Sequence, residues 1–237
     1  ARPYKSDSDV GDYAIIDGTA YYYADYDIQD IFYSKAAPSQ SHNLSVQGTS
    51  GKTNYYLSFG YDSKEGILKI RPDKLKKYNV SANVSSKIFD WLEVGARMNF
   101  SRRDYTKPET YSSTYQYLWR WGSFFIPSNT IDGVDSRVIG MIKQASDRNI
   151  ITDLTRMNSY VKAEIIKGLT FNADFTYAIQ NRTMRWDDFS VYARNWGSTT
   201  PSYIVSKSNT AAFRDMSKRN TWTLNAYMNY AKTLAKH

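Results

Sequence analysis

The feature that most constrains this chain is a two-residue alternation that recurs in seven separate segments. Successive side chains of a strand point to opposite faces, so such a segment belongs to a sheet with one dry face and one wet face. The clearest case sets Leu169, Phe171, Ala173, Phe175, Tyr177 and Ile179 against Thr170, Asn172, Asp174, Thr176, Ala178 and Gln180. Two more lie in "NLSVQGTSGKTNYYLSFGY", from Asn43 to Tyr61, where Leu44, Val46, Tyr55, Leu57 and Phe59 share the dry side. The others fall near 77–85, 92–101, 158–165 and 221–231. Their wet positions are mostly Ser, Thr and Asn with scattered charges.

The connections alternate in length. Turns at 49–52, "KIFDW" and "IKG" are short, whereas the links near 62–76, 102–157 and 181–220 are long. Structureless loops of that size are uncommon inside compact domains. Short turns at one end and long loops at the other describe a membrane barrel with periplasmic turns and extracellular loops. A tilted strand crosses a bilayer in about 9–11 residues, the length of these segments. The reading is therefore all-β, an antiparallel transmembrane β-barrel. The rival is a soluble β-sandwich, an adhesin-like carbohydrate-binding module with its dry faces turned inward.

Composition agrees with the barrel. The 237 residues include 21 Tyr, 10 Phe and 6 Trp, more phenol groups than a compact core easily satisfies. Such rings suit the wet–dry boundary of a membrane strand. No apolar run reaches the roughly 20 residues of a transmembrane helix. Cysteine is absent, which excludes disulfides and thiol chemistry. The net charge of +8 permits an acidic partner, but no nucleic-acid-binding motif accompanies it. No signal peptide is visible at Ala1, and the start reads as the interior of a longer chain. Seven strands in an open sheet would leave two unpaired edges, so part of a larger barrel is expected.

The blocks "DIQDIF", "APSQSHNLSVQG", "KTNYYLSFGY" and "KEGIL" follow one another in the order typical of one family. With "KLKKYNVSANVSSKIFDWLEVGARMNFSR" and "WTLNAYMNYAKTLAKH", they make the chain resemble SusC-like (RagA-like) TonB-dependent outer-membrane transporters of Bacteroidetes. The first block departs from the family in having Ile28 where Trp is usual. The resemblance covers most of 24–237 and implies a barrel of roughly 22 strands filled by an N-terminal plug. It also implies energy from the inner membrane through TonB, a SusD-like surface lipoprotein as lid, and import of glycan or peptide oligomers. On that basis residues 1–41 are a lead-in and 42–237 about seven barrel strands. The plug, the TonB-contacting box and the remaining strands are not recognisable in this sequence, so coupling to TonB is expected through parts not in this chain. The expected location is the outer membrane of a Gram-negative cell, against its lipids. His42 sits in the family motif and reads as structural.

The candidate ligand-binding residues are Tyr115, Tyr117, Trp119, Arg120 and Trp121, in "YQYLWRW" within the longest loop. Aromatic faces stack on sugars or peptide side chains, and an Arg clamps carboxylates. The competing reading is that these rings pack the loop onto its neighbours. Asp7, Asp9 and Asp12, and Asp132 with Asp135, offer oxygen ligands, but lack the EF-hand spacing and read as turn residues. The adjacent Asp187 and Asp188 point apart on an extended chain and form no acid–base pair. No nucleophile–base grouping or phosphate loop is present, so no enzyme activity, cofactor or metal is expected.

Overall fold

A computed structural model of the chain describes residues 13–22, 27–120, 133–206 and 211–232. It begins with a hairpin of β1 (Tyr13–Ile16) and β2 (Thr19–Tyr22). Its loop is Asp17-Gly18, both at positive φ, the pairing a tight hairpin loop favours. A short helix, α1 (Ile28–Phe32), follows, its first turn capped by Asp27, whose carboxylate accepts from the Asp30 amide at 3.0 Å.

The main body is one antiparallel sheet. Its strands are β3 (Ser39–Ser50), β4 (Thr53–Glu65), β5 (Lys74–Phe89), β6 (Leu92–Pro108), β7 (Asp147–Ile166), β8 (Leu169–Asp187) and β11 (Ala212–Tyr230). They lie in the order β11-β8-β7-β6-β5-β4-β3, so each strand pairs with its predecessor along the sheet. The long connections hold helices α2 (Tyr111–Arg120) and α3 (Arg137–Gln144), and a separate ribbon of β9 (Ser190–Ala193) and β10 (Ser202–Ser206).

The register places the dry residues in rows. Val46, Leu57, Ala82, Met98, Met157, Tyr177 and Trp222 form one row across all seven strands. Leu44, Phe59, Val80 and Phe100 begin the next. On the opposite face Gln47, Tyr56, Asn83, Arg97, Asn158, Thr176 and Thr223 are aligned. Among the described residues nothing covers the dry face. Leu57, Val84, Met98, Met157 and Phe175, all on interior strands, stay 43–49% exposed. A soluble sandwich would bury them against a second sheet.

On β8 the dry row runs from Leu169 to Ile179. At about 3.3 Å per residue that is roughly 33 Å along the strand, or about 25 Å of height at a tilt near 40°. This matches the lipid-facing band of a membrane barrel.

Several strands extend well past the alternating segments at the end that bears the helices. β6 continues to Pro108, β8 to Asp187, and β7 begins at Asp147 rather than near Asn158. Likewise β11 begins at Ala212 rather than near Thr221. Beyond the dry band the outward face turns mostly polar while Ile150, Met184 and Trp186 sit on the other, so the alternation fades while backbone pairing continues.

The three turns at the other end are tight. Gly51 and Gly168 take φ of 58° and 86°. A Cβ at Gly51 would meet open space, but one at Gly168 would overlap the Ala231 carbonyl oxygen. Gly51→Ala is expected to cost about 1 kcal/mol, from the left-handed backbone alone. Gly168→Ala is expected to cost more, because Ala231 must also shift. Urea unfolding of the two refolded variants checks the order.

Candidate functional site

Two regions carry chemistry: the polar face of the sheet and the layer over its helix-bearing end. On the polar face Tyr160 of β7 lies across Gly95 of β6, its cross-strand partner. Only glycine leaves room for the ring there. The Tyr160 hydroxyl donates to Glu93 at 3.0 Å, and the Arg97 guanidinium sits 4.7 Å from the ring centroid. Beside it Asn158 donates to Thr176 at 2.8 Å, and Asn225 donates to Asp174 at 3.2 Å. Arg97, Arg156, Lys162, Tyr160, Asp174 and Tyr227 line an open hollow of about 600 Å³. Hydrated, hydrogen-bonding side chains of both signs suit a wall that faces water or a polar neighbour.

The helix-bearing end holds most of the buried apolar side chains. Phe32, Leu68, Leu118, Val138, Ile139 and Ile142 form one cluster. Met141, Ala145, Phe189, Val191 and Ala193 form a second. The apolar run in "RVIGMIKQ" explains this, since α3 buries Val138 to Ile142 against both sides of the layer.

Polar groups lock the layer to the strands. Arg71 has a φ of 51°, strained for a side-chain-bearing residue. Its guanidinium donates to the Ile142 and Lys143 carbonyls at 3.1 and 3.2 Å, to the Ala145 carbonyl, and to Asp147 at 2.5 Å. It thus satisfies carbonyls that the end of α3 leaves without helical partners. Arg148 makes a two-pronged contact with Glu109 and lies 4.5 Å from the Trp186 ring centroid. Asp73 accepts from Tyr105 at 3.0 Å and from Tyr111 at 2.9 Å, and the Tyr111 and Tyr115 hydroxyls are 3.2 Å apart. Burial first, then the hydrogen bonds with Tyr115 and Asp73, push the Tyr111 phenol far above its usual range.

The sequence candidates fall on α2, which replaces the expected loop. On a helix, residues two apart point to different sides, so the alternating rings do not form a single ladder. Tyr115 packs on the first cluster, with its ring centroid 4.9 Å from Tyr111 and 6.3 Å from Tyr33. Tyr117 touches both clusters and has the Arg137 guanidinium 5.9 Å from its ring centroid. Arg120 is exposed at the end of the helix. The Trp119 side chain and Trp121 lie outside the described residues, as do Asp7, Asp9, Asp12, Asp132 and His237. Asp135 pairs with Lys143 at 2.9 Å. His42 stacks on Tyr61 with ring centroids 6.3 Å apart, on the face of the dry rows. Arg71, Asp73, Gly95 and Tyr160 were missed by sequence reasoning. Only the strand register, which sets Tyr160 opposite Gly95, could have flagged the last pair.

No family model matches the chain. Over 68 residues, 29% of its length, it is 34% identical to the TonB-dependent receptor P26 of Formosa agariphila, of which this stretch is 7%. Its fold is similar to part of "Structure of the RagAB peptide transporter", with a TM-score of 0.50 and 21% identity. It is also similar to the RagAB peptide importer in the 'open-open' state, with a TM-score of 0.52 and 20% identity. Each likeness covers 84% of this chain and 23% of the solved chain. The chain thus spans less than a quarter of the proteins it matches. In sequence and in fold it resembles a portion of a SusC/RagA-like TonB-dependent transporter, and the architecture is that of a length of its barrel wall.

Two tests address the layer. Arg71→Ala is expected to speed hydrogen exchange in 137–145 by about tenfold, since orphaned helix-end carbonyls cost on the order of 1–2 kcal/mol. For Tyr111 the folded state holds its proton above the ordinary tyrosine pKa of about 10. Its contribution is therefore present in full below that pH and is lost as pH rises from there through the higher value of the folded state. In an ultraviolet phenolate titration, Tyr111→Phe is expected to remove one late-ionising tyrosine.

Proposed function

We propose that this chain forms part of the wall, and several extracellular loops, of an outer-membrane TonB-dependent importer of oligomeric nutrients. The observation that carries this reading is the uncovered apolar band across seven strands, backed by a polar face. A bilayer satisfies that arrangement because lipid covers the band while the five interior strands pair on both sides, and the edges β3 and β11 would pair with further strands of the barrel. The long connections at one end, folded into a packed layer, would face outside. The short turns would face the periplasm.

The polar face would line the lumen or meet the plug, with Tyr160, Arg97 and Arg156 among the contacts. The layer of α2, α3 and β9 would present the surface toward a SusD-like lipoprotein. Within it Tyr115 and Tyr117 act mainly as packing, and Arg120 offers an exposed cation toward cargo. TonB would act through parts of the protein outside this chain, so residues 42–237 carry wall and loops rather than energy coupling. The solved proteins of similar fold are described as peptide transporters, which favours peptide oligomers over glycans as cargo.

Phe175 and Thr176 provide a test, because they are neighbours on opposite faces of an interior strand. Phe175→Arg is expected to impair insertion of the full-length protein into vesicles by about 2–4 kcal/mol if it lies near the bilayer midplane. Thr176→Arg, on the wet face, is expected to be tolerated. Heat-modifiable gel mobility reads both, and equal tolerance would sink the assignment.

A further inference from the structure

Resting on the reading of the apolar face as lipid-facing, we propose that Arg185 and Arg214 form a binding site for a phosphate of an outer-leaflet phosphoglycolipid. The two residues are direct cross-strand partners on β8 and β11. Their pairing lies six residues, or three same-face pairs, beyond that of Ile179 with Asn220, at the helix-bearing end and on the same face as the dry rows. Side chains so paired stand about 4.5–5.5 Å apart at Cβ, and like charges in that position oppose each other.

Two other cations on this part of the face are neutralised, whereas Lys76 and Lys218 stand singly, without a second cation as direct cross-strand partner. Lys74 pairs with Glu65 at 3.2 Å, and Arg102 with Asp153 at 2.7 Å. Asn149, beside Arg185 on β7, donates to Asp104 and Thr106. Among the described residues neither Arg185 nor Arg214 has a hydrogen bond or ion pair through its guanidinium. Asp187, one same-face pair further out, forms an ion pair with neither. Two guanidiniums held side by side match the oxygens of one phosphate, which accepts from both at once.

The surroundings select a lipid phosphate over a free one. One same-face pair toward the turns lies Met216, 70% exposed and outward-facing, and the dry rows begin two same-face pairs below it, at Ile179. Lys218, one pair lower still, adds a third outward cation. An acyl chain on the dry rows would place a phosphorylated head group among the cations above them, whereas inorganic phosphate would gain nothing from the apolar flank.

The test uses the full-length protein in detergent micelles, titrated with bisphosphorylated lipid A, the same lipid dephosphorylated, or inorganic phosphate. Native mass spectrometry reads the bound fraction. The phosphorylated lipid is expected to bind, and the pair Arg185→Gln and Arg214→Gln to weaken it tenfold or more. Arg185→Lys, which keeps the charge and loses the fork, is expected to fall between. Arg219→Gln, on the polar face of β11, is expected to leave binding unchanged. Equal binding of the two lipids, full binding by the double variant, or displacement by matched inorganic phosphate would overturn the site. A heat-modifiable mobility shift shared by all variants confirms folding. Failure of the membrane reading itself looks different: the wild type would stay soluble without detergent.

Discussion

Backbone pairing across seven strands decides which side chains share a face, because a slip of one residue would turn every dry residue to the wet side. The register is continuous from β3 to β11, with irregularities only beside the turns at Lys87–Phe89 and Glu164–Ile166. The apolar band, the polar wall and the Arg185–Arg214 pair all follow from that one constraint. Small residues serve it where strands come close. Gly95 admits the Tyr160 ring, and Gly51 and Gly168 allow turns short enough to hold neighbouring strands in register.

The layer over the helix-bearing end obeys different physics. Its helices are short, so they gain little from their own backbone ladders and depend on packing and on caps supplied from elsewhere. Arg71 shows this economy, spending a strained backbone angle to place one guanidinium against the end of α3 and Asp147. Asp73 likewise joins β6 and α2 through two phenols. The layer is thereby tied to the strands at several separate points. Its polar anchors sit above the band, where water can satisfy whatever the protein does not.

Much of the sheet was legible because period-2 patterning survives wherever one face meets a greasy surface. Leu169 to Ile179 named both the strand and its lipid-ready side. The same signal vanished above the band, so the outer ends of β6, β7, β8 and β11 read as loop. The candidate aromatic residues illustrate the opposite failure. Tyr115, Tyr117 and Trp119 alternate like a strand, yet the segment winds into α2, because burial of Leu118 and Thr114 against the layer rewards a helix. A few alternating residues cannot separate the two periods.

What the sequence determined by itself is the alternation, the rhythm of short and long connections, and the family blocks that resemble a TonB-dependent transporter wall. These are local properties, written in side-chain polarity and spacing. What only the tertiary structure decided is which residues meet across the sheet. Arg71 reaches carbonyls more than 70 positions away, Asp73 gathers phenols from β6 and α2, and Arg185 faces Arg214. Such contacts depend on register and chain reversal, which no local pattern encodes, so the chemistry of the site appeared only once the strands were paired.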